Sequence, residues 1–388
     1  MRYKHLDIVF LEDGMFTVKN NSTKNYVKLG SRETDYLLRC LGYDGNEFKL
    51  SETVLLDPDE QSFMNHKFDE WGFLDENKVI VKDKKKFDFT RIKVCEVNPQ
   101  NALAKVPRFV KDIFSLRGVF LLIIMTIAAN VVMFSHKEEL VRAVQDSFHL
   151  SIMQYIAFYF MMIITIMLHE CGHAICCSRH GGKISSMGLM LFFMVPCFFC
   201  DVSDIYMFKD KKKSLGVAIS GIAMNYALGT LACLAYFYLY HIGIYVPLLI
   251  FYYLANIGFV VYNLFPFVKL DGYWVITALL GVDNLLDKSI ITFLTAILNT
   301  RDLKRLNCKM GKKLVLFFYG LIAIVSRPIF WIVGVYSVCK FLDARDYDYL
   351  NGILVGFVAI MVLKDLSDLL RKYIDMYRNQ RQRVLGLI

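Results

Sequence analysis

Residues 151–174 read SIMQYIAFYFMMIITIMLHECGHA, and the prediction of the fold class starts from them. It contains no Asp, Glu, Lys or Arg before His169, and a helix of about 20 apolar residues crosses a membrane. Two histidines, His169 and His173, stand four residues apart, so both rings leave one face of a helix and can bind one metal ion. Glu170 points about 100° away from His169, where it can reach a metal-bound water without being a ligand. The sequence predicts a metal site near the end of a membrane span, which favours peptide-bond hydrolysis at the membrane.

The rest of the composition agrees with a membrane protein. Hydrophobic residues make up 56% of the 388 residues, and the mean hydropathy is +0.41. Residues 214–268 contain no Asp, Glu, Lys or Arg, which is enough for more than two spans of about 20 residues each. The fold class predicted is an α-helical polytopic membrane protein with about six transmembrane helices. These are expected at about 116–134, 150–177, 215–240, 244–262, 314–341 and 350–370.

The charge distribution orients these spans. The net charge of +9 lies largely in short basic segments beside alternate ends of the predicted spans. Under the positive-inside rule this predicts a multi-pass protein of the cytoplasmic membrane with both termini in the cytoplasm. The basic segments are therefore assigned to topology and to contact with anionic membrane lipids, and no nucleic-acid partner is expected. The shorter apolar–polar pattern at 285–298 predicts an interfacial helix.

The first 90 residues are not membrane sequence, and no cleaved signal peptide is expected at the start. Short strands are predicted at 6–11, 16–19, 26–29 and 79–81. One helix is expected from a Ser31 cap to about Leu41, and another from Asp57-Pro58 to about Trp71. This pattern predicts a small α+β winged-helix-like cytoplasmic domain. The predicted organisation is then this winged-helix-like domain (1–90), a linker (91–112), a membrane core that carries the metal motif (113–300), and C-terminal transmembrane helices with a basic tail (301–388).

Two histidines do not complete a catalytic zinc site, because such sites use three protein ligands and leave one position for water. Acidic residues are scarce in the membrane region, and Asp271 at the end of the predicted fourth span stands out among them. It closes the stretch Asn263-Leu-Phe-Pro-Phe-Val-Lys-Leu-Asp-Gly272.

The pairing of His169-Glu170-x-x-His173 with Asn263-x-x-Pro266…Leu-Asp271-Gly resembles the site-2 protease family of intramembrane zinc metalloproteases. This resemblance implies His169, His173 and Asp271 as Zn²⁺ ligands and Glu170 as the general base. It implies that Asn263 holds the substrate backbone or the developing oxyanion.

A closer resemblance is to the bacterial peptide zinc metalloprotease branch associated with ribosomally synthesised, modified peptides. Its marks are residues 196–204 (PCFFCDVSD) and the run Ser220-Gly-Ile-Ala-Met-Asn225, which offers Asn225 as a second substrate-binding residue. The third span has no proline where the family usually has one. The N-terminal domain resembles the small module that binds leader peptides in such pathways.

These resemblances imply a zinc metalloendopeptidase that matures a modified peptide before export. The implied partners are a peptide or membrane-embedded protein substrate, an ABC-type peptide exporter and a peptide-modifying enzyme. Two alternatives stay open. One is a non-catalytic accessory or immunity protein of a peptide exporter, and the other is regulated proteolysis of a membrane-bound regulator.

Three further features have open interpretations. Residues 185–200 are apolar but too short to span, which suggests a re-entrant hairpin whose edge holds an extended substrate, or a simple hydrophobic plug. Asp201 and Asp204 are expected to act as helix caps or to form ion pairs with nearby lysines. Arg327, in the fifth predicted span, either binds a peptide carboxylate or pairs inside a kinked helix.

Overall fold

The structure, a computed structural model, describes most of the chain in continuous segments. These are residues 2–3, 5–11, 14–43, 56–74, 91–192, 195–282, 284–298 and 310–343, with scattered positions between 352 and 375. They belong to two compact units, Met1–Asn263 and Leu264–Ile388. The predicted strand at 79–81 and most of the predicted sixth span lie outside the described residues.

An antiparallel four-stranded sheet opens the first unit. Its strands, in spatial order, are Arg2–Tyr3 (β1), Leu6–Phe10 (β2), Phe16–Asn20 (β3) and Tyr26–Leu29 (β4). The predictions of the last three strands are confirmed. Leu6 and Ile8 alternate along β2 on its buried face, as the two-residue period of a strand requires, and pack with the helices Ser31–Cys40 (α1) and Pro58–Glu70 (α2).

The helix ends in this domain agree with the sequence except at one position. The prediction that Ser31 caps α1 is wrong: Gly30 has the extended backbone of the N-cap, and Ser31 is already helical. The Thr34 hydroxyl donates to the Gly30 carbonyl at 2.7 Å. Asp57 is the N-cap of α2 with Pro58 at the first turn, as predicted. The sheet and helices form an α+β domain, and its winged-helix character stays a prediction.

A second sheet lies further along the chain and includes part of the predicted linker, whose role as a connection between domains stays a prediction. Residues 91–112 form the strand Arg91–Val97 (β5) and the short helices Gln100–Lys105 (α3) and Arg108–Asp112 (α4). β5 pairs with a hairpin of Met187–Phe192 (β6) and Val195–Cys200 (β7), in the order β5-β6-β7. The hairpin predicted at 185–200 is confirmed, and its re-entry into the membrane stays a prediction. The unsatisfied backbone groups along the edge of β6 explain why this part of the linker is ordered as a strand.

Three helices in the described part of the chain are long and apolar enough to cross a membrane. They are Leu116–Ser135 (α5), Ile152–Arg179 (α7) and Lys211–His241 (α8). They agree with the first three predicted spans. The helix Lys137–Ser147 (α6) lies between α5 and α7, and the fourth predicted span forms the shorter apolar helix Pro247–Asn263 (α9). α8 packs against both α7 and α9.

The second unit is helical in its described residues. Its helices are Asp271–Leu280 (α10), Leu285–Leu298 (α11) and Met310–Asp343 (α12). α11 has the bounds predicted for the interfacial helix, and it packs on α12 around the fully buried Tyr273 and Leu285. α12 covers the fifth predicted span, but the Arg327 side chain lies outside the described residues. The six-span count and the orientation of the termini stay predictions.

Candidate metal centre

The paired histidines lie on the face of α7 that packs against α8. Thr165, His169 and His173 recur every four residues along this face, and all three are buried. The predicted helical spacing is therefore realised, and both imidazoles are directed into the packed interior. Each histidine is only 7% exposed.

The two imidazoles converge on one point. The Nε2 atoms of His169 and His173 are 3.3 Å apart, and the ring planes are inclined at 82°. Two nitrogen ligands of a tetrahedral zinc ion, each at about 2.0–2.1 Å, are separated by about 3.3–3.4 Å. The pair therefore fits two positions of a zinc site. A single N–H···N hydrogen bond would also suit this distance, and a measurement of bound zinc separates the two possibilities.

Helix α8 fixes the orientation of the second imidazole. The His173 Nδ1–H donates to the Val217 carbonyl at 2.7 Å, and the Ser220 hydroxyl lies 3.3 Å from the same nitrogen. A carbonyl only accepts hydrogen bonds, so the proton of a neutral His173 is on Nδ1 and Nε2 carries the lone pair. Such a bond to the outer nitrogen commonly sets the tautomer of metal-binding histidines.

Small residues let the two helices approach closely at the histidines. A Cβ atom added to Gly172 would lie 3.1 Å from the Ser220 carbonyl oxygen. A Cβ atom added to Gly221 would lie 2.4 Å from the His173 Nε2 and 2.6 Å from the His169 Nε2. Gly221 thus leaves open the space in front of both nitrogens, a cradle of the kind that a bound ion requires.

We expect Gly221→Ala to weaken zinc binding by about 10–100-fold, the loss typical of altered support around a metal ligand. The added methyl group forces at least one imidazole to move, and His173 cannot do so without straining its bond to Val217. A competition titration with a zinc-binding dye measures the dissociation constant. Gly216→Ala is the matched control on the same helix, because its Cβ would meet only the His180 ring at 4.0 Å. Equal affinities in the two variants would contradict metal binding at this face.

The other predicted site residues lie on α7, α8, α9 and α10. Glu170 follows His169 on α7 and is half-buried. Asn225 lies one turn after Gly221 on α8 and is 1% exposed, and its Oδ1 has no hydrogen-bond partner among the described residues. Asn263 is the last residue of α9 and is half-buried. Asp271 begins α10 in the second unit, and its role as a ligand stays a prediction.

Sequence reasoning missed the residues of α8 that support the histidines. In the sequence, Ser220-Gly221 carries only a family resemblance, and Val217 contributes a backbone carbonyl, which any residue type supplies. Gly172 and Gly221 were the available signal of this helix contact, because small residues at matching depths permit two helices to pack closely.

Comparison with known proteins gives one informative relative. Neither a protein-family model nor a solved structure matches the chain. A Bacillus subtilis (strain 168) protein described as "Putative peptide zinc metalloprotease protein YydH" is 23% identical over 223 residues. The matched region covers 57% of this chain and 85% of the relative. The similarity is distant, and the description of this relative agrees with zinc metalloprotease activity in general terms.

Proposed function

We propose that this chain is a membrane-embedded zinc metalloendopeptidase that hydrolyses a peptide bond. The observation that carries the proposal is the convergence of the His169 and His173 Nε2 atoms in front of Gly221, on an apolar helix long enough to span a membrane. The description of the Bacillus subtilis relative supports the same class of enzyme and the Zn²⁺ cofactor.

His169 and His173 would hold the zinc, and Asp271 is proposed as the third ligand. The assignment of Asp271 comes from its sequence motif, in which a carboxylate follows the Asn263-x-x-Pro266 stretch. A set of two histidines and one carboxylate is typical of catalytic zinc sites. When bound, zinc polarises the scissile carbonyl and lowers the pKa of a coordinated water to about 7.

Glu170 is proposed as the general base. In hydrolysis the water oxygen forms a bond to the scissile carbonyl carbon, the C–N bond breaks, and one proton moves from the water to the leaving amine. Glu170 would accept that proton and deliver it, since its position next to His169 keeps it beside the ligands without making it one. A carboxylate base of this kind typically contributes about 10²–10⁴-fold to the rate.

Asn225 and Asn263 are proposed to bind the substrate backbone. The burial of the Asn225 amide supports this role. Its Oδ1 has no hydrogen-bond partner among the described residues, which costs free energy, and a hydrogen bond from a substrate N–H would offset that cost. Asn263 is proposed from its sequence motif to stabilise the developing oxyanion.

The substrate is proposed to bind as an extended strand along β7. This strand ends the three-stranded sheet in the order β5-β6-β7, and it packs beside the metal helix α7. β5 pairs with the other side of β6, which leaves β7 as the end strand that contacts α7. Backbone pairing at a sheet edge holds an extended peptide independently of its sequence.

The biological role proposed is maturation of a ribosomally synthesised, modified peptide in the cytoplasmic membrane before export. It rests on the resemblances of residues 196–204 and 220–225 and of the N-terminal domain. An ABC-type exporter, a peptide-modifying enzyme and membrane lipids are the proposed partners, with both termini of the chain in the cytoplasm.

Hydrolysis by the purified full chain in lipid nanodiscs tests this function. We expect mass spectrometry of a proteome-derived peptide mixture to reveal new peptide ends, which disappear with a zinc chelator and return when zinc is restored. Loss of the ends depends on removing the ion from its ligands, so a metal-independent contaminant would not respond. Absence of cleavage in a zinc-loaded sample would favour the non-catalytic alternative.

A further inference from the structure

Asp204 joins three segments of the first unit that are distant in the sequence. It lies in the short 3₁₀ helix Ser203–Met207 that follows β7. Its Oδ1 accepts hydrogen bonds from the Lys19 ammonium and the Tyr26 hydroxyl, both at 2.5 Å. Its Oδ2 accepts from the backbone N–H of Lys183 at 2.8 Å. The prediction that Asp204 pairs with a nearby lysine is corrected, because its ionic partner lies 185 residues earlier in the sequence.

These contacts are buried, in contrast to the other ion pairs of the N-terminal domain. The side chains of Lys19 and Asp204 are each 9% exposed, whereas those of the Arg32–Glu60 pair are 44% and 49% exposed. An exposed pair contributes little to stability, but removing one partner of a buried pair leaves an uncompensated charge. The Lys19–Asp204 pair is therefore a strong link between the N-terminal sheet and the turn after β7.

The electrostatics of the cluster keep this link formed at neutral pH. Burial disfavours the charged form of Asp204, but the bonds from Lys19, Tyr26 and the Lys183 amide outweigh it and lower the pKa of the carboxyl. Burial and the bond to Asp204 raise the pKa of Tyr26, so its hydroxyl remains a neutral donor. Asp201 in the same turn and Cys177 at the end of α7 also face this cluster.

The turn that carries Asp204 is the foot of the β6–β7 hairpin. The Asp201 N–H donates to the Ser186 carbonyl at 2.8 Å and closes the hairpin base. Ile205, in the same turn, packs with Ile184 and Cys177 in one apolar cluster at the C-terminal end of α7. A link to Asp204 is thus a link to the hairpin and to the end of the metal helix.

We propose that Asp204 is a positioning residue that docks the N-terminal domain, through Lys19 and Tyr26, onto the foot of the β6–β7 hairpin. A peptide segment bound by the docked domain then enters β7 at a fixed distance from His169 and His173, and the cleavage site is chosen by its spacing from that segment. This inference rests on the proposed function for its catalytic part, while the docking itself is independent of catalysis.

Hydrogen–deuterium exchange of the full chain in nanodiscs tests the docking. We expect Lys19→Met and Asp204→Asn each to speed exchange of the Lys183 amide and of β3 and β4 by about tenfold or more, because each breaks a buried pair. The double variant should exchange no faster than either single variant, since both changes remove the same link. Lys19→Arg, which keeps the charge, should retain protection. Lys67→Met, which breaks a more exposed pair with Glu70, is the matched control.

Unchanged exchange in the single variants, or additive effects in the double variant, would overturn the docking. This experiment uses no substrate, so its result on docking holds even if no peptide is cleaved and the proposed function fails. Undocking should leave α1 and α2 protected, so faster exchange of these helices in Lys19→Met would indicate unfolding of the N-terminal domain. Asp204→Asn, which lies outside that domain, then decides the docking.

Kinetics with two lengths of one peptide test the positioning. The probe is the peptide cleaved fastest from the proteome-derived mixture, synthesised at full length and as a ten-residue fragment around its cleavage site. We expect Lys19→Met to raise KM for the long peptide by about tenfold or more with little change in kcat, and to leave the short peptide unaffected. The long peptide should also be cut at additional positions. Equal losses for both lengths, with one cleavage site retained, would overturn the positioning role and leave the proposed hydrolase intact.

Discussion

Glu170→Gln is expected to lower kcat for peptide hydrolysis by about 10²–10⁴-fold while zinc binding is retained. The amide has nearly the shape of the carboxylate but cannot accept the proton of the attacking water. Glu170 follows His169 directly, so a change that leaves the helix intact should leave both imidazoles in place. Because the loss falls on the chemical step, KM for the peptide should change little.

The measurement is a time course of peptide cleavage by mass spectrometry, with the zinc content of the same samples measured in parallel. Glu138→Gln is the control, because Glu138 is exposed on the separate helix α6. Hydrolysis at the normal rate in the zinc-loaded Glu170→Gln variant would exclude Glu170 as the base. Loss of zinc together with activity would instead assign it to the metal site.

The second large effect concerns the ligands. His169→Ala, His173→Ala and Asp271→Asn are each expected to weaken zinc binding by more than about 100-fold, the upper range seen when only the support of a ligand is changed. The wild-type chain should bind one zinc per molecule. His149→Ala, an exposed histidine before α7, is the control for loss of a surface imidazole.

Elemental analysis after dialysis against a weak chelator gives the stoichiometry, and a competing dye gives the affinity. If the two imidazoles are joined only by an N–H···N hydrogen bond, the wild-type chain will hold no zinc. If Asp271→Asn alone keeps normal affinity, the third ligand lies elsewhere while the histidine pair stands. The three variants thus test the residues brought together on α7 separately from the residue assigned by motif.

The membrane helices and the N-terminal strands could be predicted because their signals are local. The uncharged run before His169 and the four-residue spacing of the histidines specify one helix and one ligand face without reference to any other part of the chain. The same holds for β2, β3 and β4, which are bounded by turn residues. The predicted N-cap of α1 was wrong by one position, because Gly30 and Ser31 are both acceptable N-cap residues and only the backbone geometry distinguishes them.

The missed features are pairings between distant residues. Residues 91–97 are polar enough to resemble a linker, and only the edge of β6, 90 to 101 residues later in the sequence, makes them a strand. The Asp204 carboxylate has several nearby lysines, and the sequence offers no reason to prefer Lys19. In the candidate metal centre, the role of Gly221 is steric and depends on where α8 crosses α7.

Local sequence patterns were enough to predict apolar helices able to span a membrane and to place two histidines on one face of one of them. Those properties follow from hydrophobicity and helical period, which neighbouring residues fix. The packed fold was needed to show that α8 orients His173 through Val217, that Gly221 leaves space before both nitrogens, and that Lys19 reaches Asp204. Contacts of this kind depend on how separate elements pack, and packing energy is shared by residues that no local pattern connects.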